Sequence, residues 1–391
     1  MARFLLGWEL GAGRGHLVRM ASLARRLRAE GHDVIVASQR LAGGVEFPSG
    51  TQHRQAPLWP RLLANVGALG GPLPNTMGDI LFRLGLHDPA TLPALIDAWE
   101  GIIAAARPHA IAADFAPALL CAARGRVPTL VAGHAFDTAP AQMERFPSLT
   151  GKPAAYPEAE VLDQVNTGLA AAGRPTLSAL PAIFATDRLL AGTFTELDPY
   201  AAWRRDPVVA PSVSHPLGEA GEGEEIFLYA NGDLLRTGAL WDGLVRSALP
   251  VRVYAQGASV GQKAELAKLG FIVEPGPVPF ARIAERSRLV MTYGGVGFVS
   301  SALAAGLPVV VVHYDLEKAL TGQAITRMQL GGHVHAGGIQ PEAFATSLRQ
   351  LYHNDSFQRR ARELAPGFRE RLAPEQEDLA AAALLELAGA G

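Results

Sequence analysis

Two short glycine turns, each between a strand-like apolar run and a helical pattern, constrain this chain more than any other feature. The first follows RFLLGW (residues 3–8) and reads Gly11-Ala12-Gly13-Arg14-Gly15-His16. A helical pattern over His16–Glu30 ends at Gly31, and DVIVAS supplies the next strand, which completes one right-handed βαβ unit. The second turn lies in SRLVMTYGGVGFVSSALAAGLPVVVV, where Gly294-Gly295-Val296-Gly297 separates a strand from a helix expected over 298–305. Glycine lets the backbone approach a ligand closely, and the free N–H groups of a helix start attract negative charge. Each turn is therefore ready for an anion such as phosphate.

Further strand-like runs at Ala110–Ala113, Thr129–Ala132 and Leu189–Ala191 alternate with helical stretches, and a second series occupies Ile226–Ala230, Val251–Ala255, Leu289–Thr292 and Val309–His313. This alternation predicts the α/β class. With 391 residues, the chain suits two Rossmann-like domains with parallel sheets that face each other across an inter-domain cleft. Pro, Gly and acidic residues concentrate between Arg204 and Glu225. The expected organisation is a first domain over 1–207, a linker over 208–224, a second domain with a smaller sheet over 225–374, and a C-terminal helix over 375–391. Residues 48–90 and 137–180 read as long irregular excursions of the kind that cap a cleft.

Composition removes several classes of function. Hydrophobic residues are 49% and charged ones 18% of the chain, and the net charge of −2 includes no basic stripe, so nucleic acid is not an expected partner. One cysteine, Cys121, excludes an intramolecular disulfide and a thiolate metal cage, which fits a reducing cytoplasm. The apolar start is too short for a signal peptide, and no apolar run reaches the ~18 residues of a membrane span. The apolar segment over 57–86 reads as a pocket wall in preference to a lipid-facing surface.

The chemistry-bearing residues cluster at strand ends. His16 stands on a helix N-terminus at the carboxyl edge of the sheet, where the positive helix end favours the neutral imidazole that a general base requires. A helix cap or a phosphate donor are its plainer readings. Asp114 closes the strand AIAA and is expected in the same crevice, as an orienting carboxylate for His16, a helix cap, or a partner of Arg124. A dinucleotide-binding fingerprint would need a glycine at His16 and an acidic residue after DVIVAS, and both are missing. No Asp-x-Asp metal clamp occurs; Asp315-Leu-Glu317 reads as a helix cap, and His313, His333 and His335 read as scattered at unrelated turns.

The paired segments GAGRGHLVRMASLARRLRAEGHDV and TYGGVGFVSSALAAGLPVVVV resemble bacterial members of the UDP-glycosyltransferase family, the macrolide and natural-product glycosyltransferases. RPHAIAADFAPA, FTELDPY and PGPVPFARIAERSRL resemble further family segments in the same order. The resemblance implies a GT-B fold, acceptor binding by the first half, donor binding by the second, and metal-independent transfer with inversion. A UDP- or TDP-sugar is the implied co-substrate, with no other cofactor. By position, His16 is the base and Asp114 its orienting carboxylate. Gly13, Arg14, Gly15, Gly294, Gly295, Val296 and Gly297 form the donor turns, Asn231 and Gly232 meet phosphate, Glu317 and Lys318 hold sugar hydroxyls, and Val278 lies at the base. His134 and Asp137, with Trp59, Leu62 and Phe82, are the expected acceptor-pocket residues. Four positions depart from the family pattern: Tyr293 replaces a histidine at the diphosphate, Phe298 a small hydroxyl residue, Phe280 a Gln or His, and Lys318 a Gln. Either Lys318 or Arg14 supplies the missing positive charge, or the donor is an unusual one. The alternative is a catalytically silent homologue that binds a nucleotide or partners a true transferase. Either reading is compatible with a homodimer.

Overall fold

The computed structural model describes residues 1–11, 13–40, 44–62 and 71–389. The chain divides into two compact units: Met1–Gly192 with Asp198–Val209 and Pro374–Gly391, and Thr193–Leu197 with Ala210–Ala373.

The first unit is built on six parallel strands: β1 (Arg3–Trp8), β2 (Asp33–Ser38), β3 (Gln52–Gln55), β4 (Ala110–Asp114), β5 (Thr129–Gly133) and β6 (Arg188–Ala191), in the order β3-β2-β1-β4-β5-β6. The second unit repeats this plan with β7 (Glu225–Ala230), β8 (Val251–Ala255), β9 (Ile272–Val273), β10 (Ser287–Thr292), β11 (Val309–His313) and β12 (Gly331–His335), in the order β12-β11-β10-β7-β8-β9. Chain order reverses between β1 and β4 and again between β7 and β10. In open α/β sheets ligands bind outside the carboxyl ends of strands at such a switch point. The second sheet was expected to be smaller, and it has six strands like the first.

The central strands are apolar on both faces, as parallel strands covered by helices must be. In β11, Val310 and Val312 join a cluster with Leu228 and Phe344, whereas Val309 and Val311 join another with Ala324 and Ile325. The three strands absent from the sequence reading, β3, β9 and β12, sit at sheet edges or near them and lack an apolar run: β3 is the fully exposed QHRQ, and β9 has two residues. The irregular stretches also hold order, with a helix at Glu158–Ala171 and a capping box in which Thr76 and Asp79 start the helix Met77–Leu81. Residues 63–70 of the apolar segment, like Ala12 of the first turn, lie outside the described residues.

The histidines read as scattered are neighbours. β11 pairs with β12 so that His313 faces His335, and His313 Nε2 lies 3.1 Å from His333 Nδ1. Burial, then the charges of His333 and His335, push His313 down to about 4. The sequence separation of 20 residues hid a contact that the parallel register creates.

The helix Gln376–Gly389 closes the first unit. Ala380, Ala381 and Leu384 join the core of β1, β2 and the helix Arg14–Ala29. Gln376 donates to the carbonyls of Gly133 and Leu190 at 3.0 and 2.9 Å, and Arg26 pairs with Glu375 and Asp378. Among the described residues no helix is long and apolar enough to cross a membrane.

Candidate functional site

The first unit gathers its polar side chains where its sheet order reverses. Trp8, the last residue of β1, is in register with Asp114, the last of β4. The chain leaves β1, turns at Gly11 with φ 85°, and enters the helix Arg14–Ala29, which carries His16 on its buried face. His16 stacks on Trp8 with ring centroids 4.9 Å apart and planes 15° from parallel. Its Nδ1 lies 2.9 Å from Asp114 Oδ1. Its Nε2 faces the glycine turn, where a Cβ on Gly11 would come within 2.6 Å of it. His16 and Asp114 thus have the arrangement of a base and its orienting carboxylate.

Sequence reasoning missed the third member of this cluster. Arg19 Nη2 donates to both oxygens of Asp114 at 2.9 Å, lies 3.1 Å from His16 Nδ1, and is 3.9 Å from Asp137 Oδ2. None of the four side chains belongs to a residue more than 7% exposed. Burial alone would raise the Asp114 carboxyl, but the charge of Arg19, then that of His16 and the hydrogen bonds from both, hold it well below the usual carboxylate range. Burial opposes the Arg19 charge, and Asp114 and Asp137 outweigh it and raise the guanidinium further. Ligating atoms of His16, Asp114 and Asp137 lie within 4.8 Å of one another, a spacing that suits a cation, and here the Arg19 guanidinium is the cation among them. The plainer reading of Asp114 as a partner of Arg124 fails, because Arg124 donates to the Ala182 carbonyl at 2.8 Å instead.

Beside this cluster, Glu9 is wholly buried and accepts hydrogen bonds from Trp59 Nε1 and Ala118 N at 3.0 and 3.1 Å and from Leu119 N at 2.5 Å. It caps the helix Pro117–Ala123, and burial, partly offset by these hydrogen bonds, pushes its carboxyl up to about 7. Trp59 is therefore a core residue committed to Glu9. Leu62 and His134 are half-buried, and Phe82 stacks between His87 and Tyr156 with centroids 4.0 and 3.7 Å away. Of the residues expected in an acceptor pocket, Asp137 stands against the His16 cluster on the distances above. Gly13, Arg14 and Gly15 are exposed, and Arg14 donates to the Gly44 carbonyl at 2.6 Å.

In the second unit the corresponding strand ends carry the other predicted residues. Asn231 follows β7, caps the turn that begins at Gly232, and donates to the Tyr314 hydroxyl at 2.5 Å. After β10, Gly294 has φ 100° and is packed so closely that a Cβ would lie 2.8 Å from Val311 and 3.1 Å from Lys318 Cβ. Gly295 starts the helix Val296–Ala305, and the Tyr293 hydroxyl stands over it, 3.0 Å from where a Cβ would be. Burial, against the pull of Lys318, pushes the Tyr293 phenol above its usual value, which keeps it a neutral donor. Lys318 and Glu317 pair in the first turn of the helix Leu316–Arg327, which Asp315 caps by accepting from Lys318 N at 2.9 Å. Phe298 packs on Phe227, Tyr229 and Phe280, with centroids 6.3, 5.3 and 5.3 Å away. Val278 is half-buried just before the helix Phe280–Arg286. This places the Lys318–Glu317 pair, the Tyr293 hydroxyl and the start of the helix Val296–Ala305 at the second glycine turn.

Comparison with known proteins agrees with this plan. No family model matches the chain. A PGL/p-HBAD biosynthesis glycosyltransferase of Mycobacterium tuberculosis (strain ATCC 25177 / H37Ra) is 26% identical over 173 residues, 44% of this chain and 37% of that protein. The chain spans about a third of the length of the curated relatives it matches. Among solved structures, the calicheamicin glycosyltransferase CalG4 is similar with TM-score 0.68 and 18% identity, covering 99% of this chain and 98% of that one. The glycosyltransferase VinC, solved in complex with dTDP, gives TM-score 0.66 and 16% identity with 100% of both chains covered. The chain therefore has the GT-B fold, and its resemblance is to the bacterial UDP-glycosyltransferase family.

Proposed function

We propose that this chain is a nucleotide-sugar-dependent glycosyltransferase that inverts the anomeric centre and needs no metal ion. The observation that carries this reading is the buried His16–Asp114 pair at the first switch point, with Nε2 of His16 left to face the glycine turn. His16 Nε2 takes the proton of an acceptor hydroxyl as the oxygen attacks the anomeric carbon, and the bond to the diphosphate oxygen breaks in the same displacement. Asp114 holds the ring and stabilises the imidazolium that forms. The departing diphosphate is received by the helix start at Gly295, with the Tyr293 hydroxyl and Lys318 beside it, so charge is neutralised without a metal. Val278, Asn231 and Glu317 are assigned to the remaining contacts with base, phosphate and sugar.

The donor is a UDP- or TDP-sugar, and the acceptor a small apolar or amphipathic molecule with a hydroxyl. Calorimetry with UDP, dTDP and their glucose conjugates, with and without chelator, tests the donor half; chelator-insensitive binding is expected. One observation favours a second reading, a silent nucleotide-binding homologue: aromatic side chains stand at Tyr293, Phe298 and Phe280 around the second turn. Sugar transfer or nucleotide-sugar hydrolysis by the purified protein would overturn it.

A further inference from the structure

Arg19 has no part in the reaction above, yet it is the most constrained charge near it. It lies three residues after His16 on one helix, so the two side chains share a face. That face is otherwise the apolar stripe of Leu17, Met20, Leu23 and Leu27, where a guanidinium is retained only if it is paired. Its partners come from three places: His16 on its own helix, Asp114 at the end of β4, and Asp137 on the loop after β5. The charge of Glu377, on the C-terminal helix, also acts on it. A cavity of about 30 Å³ lies alongside, lined by Arg19, Asp114, Met20, Gln376 and Glu377 among others.

Charge counting shows what the arrangement does. Arg19 with Asp114 alone would be neutral and would leave little field to stabilise a proton on His16. Asp137 restores one net negative charge to the three side chains nearest the ring, and the charge of Glu377 on the C-terminal helix adds to it, so the field there favours a proton on His16. Arg19 Nη2 alone bonds both oxygens of Asp114 and so holds it in place, with Oδ1 against His16 Nδ1. That contact is a hydrogen bond only when Nδ1 carries the proton, and the lone pair then sits on Nε2.

We propose that Arg19 and Asp137 form with Asp114 a net-negative clamp that positions His16, Arg19 fixing the carboxylate and Asp137 setting the net charge that the ring senses. Arg19 and Asp137 are positioning residues in this account, and Asp137 moves from an acceptor pocket to the base's support. The purpose of the clamp rests on the reading of His16 as a base, but its existence does not.

The test is therefore a titration that needs no substrate. Histidine-selective labelling, with the His16 signal assigned from the His16→Gln variant, reports tautomer and protonation midpoint by NMR in the full chain. The wild type is expected to show the proton on Nδ1 of neutral His16. Arg19→Met removes a positive charge and should raise the midpoint by roughly one pH unit or more. Asp137→Asn removes a negative charge and should lower it, and the double variant should return it close to wild type. A proton on Nε2 in neutral wild-type His16, or single variants that leave the midpoint unchanged or move it the same way, would overturn the clamp and leave an ordinary structural ion pair. Should Arg19→Met not fold, Asp137→Asn alone decides, with a downward shift supporting the clamp and no shift rejecting it. If the shifts appear but His16→Gln leaves sugar transfer intact, the clamp stands and the base assignment falls.

Discussion

Asp114 and Glu9, both buried carboxyls at the same sheet edge, have opposite pH signatures, and each sign follows from its partners. Asp114 is held low by Arg19 and His16 against its burial, so its contribution to stability is present above its ordinary value of 3.8 and is lost as pH falls below it. Glu9 is raised from 4.5 to about 7, so its contribution is present below 4.5 and is lost as pH rises through about 7. Urea unfolding of the wild type should show stability falling across that second window, and Glu9→Gln should flatten it; an unchanged slope would show that Glu9 is not the cause. Asp114→Asn should cost about 3–5 kcal/mol in the same experiment, because it strips the buried Arg19 of its closest counter-charge. His16 and Asp114 were legible from sequence, since both close or follow apolar strands. Arg19 was legible in principle, as a charge at the i+3 position of the His16 helix on an apolar stripe. Asp137 was expected as an acceptor-pocket residue, but its pairing with Arg19 was not legible, because only the strand order β1-β4-β5 brings the loop after β5 beside that helix.

The elements carry their own tests. Gly294 adopts a φ that side chains with a Cβ rarely accept, and the space beside it is filled by Val311 and Lys318. Gly294→Ala should weaken nucleotide binding at least tenfold, read by calorimetry, with a smaller loss of thermal stability. The C-terminal helix should behave as part of the first unit: Leu384 is wholly buried, so Leu384→Ala should cost about 2–5 kcal/mol of unfolding free energy. The strong helices and buried central strands were legible because propensity, periodicity and burial agree there. The edge strands were not, because QHRQ and GGHVH are held by backbone pairing to a neighbour and bury few apolar side chains of their own. The same pairing brought His313, His333 and His335 together against the sequence expectation.

At the scale of the whole molecule, one strand order is used twice, and in each unit the glycine turns and polar side chains fall at its point of reversal. That duplication was readable from the two strand–glycine–helix segments, whereas the size of the second sheet and the seat of the last helix depended on contacts far apart in sequence. In the proposed function the first unit supplies the base and the second the anion site. The most direct test measures release of nucleotide diphosphate from UDP-glucose and dTDP-glucose, with a small phenolic acceptor and excess EDTA, for the wild type and His16→Gln. The account predicts turnover that EDTA leaves unchanged and that His16→Gln lowers by roughly a hundredfold or more, with nucleotide binding retained. Turnover that survives His16→Gln at full rate, or that EDTA abolishes, would contradict it.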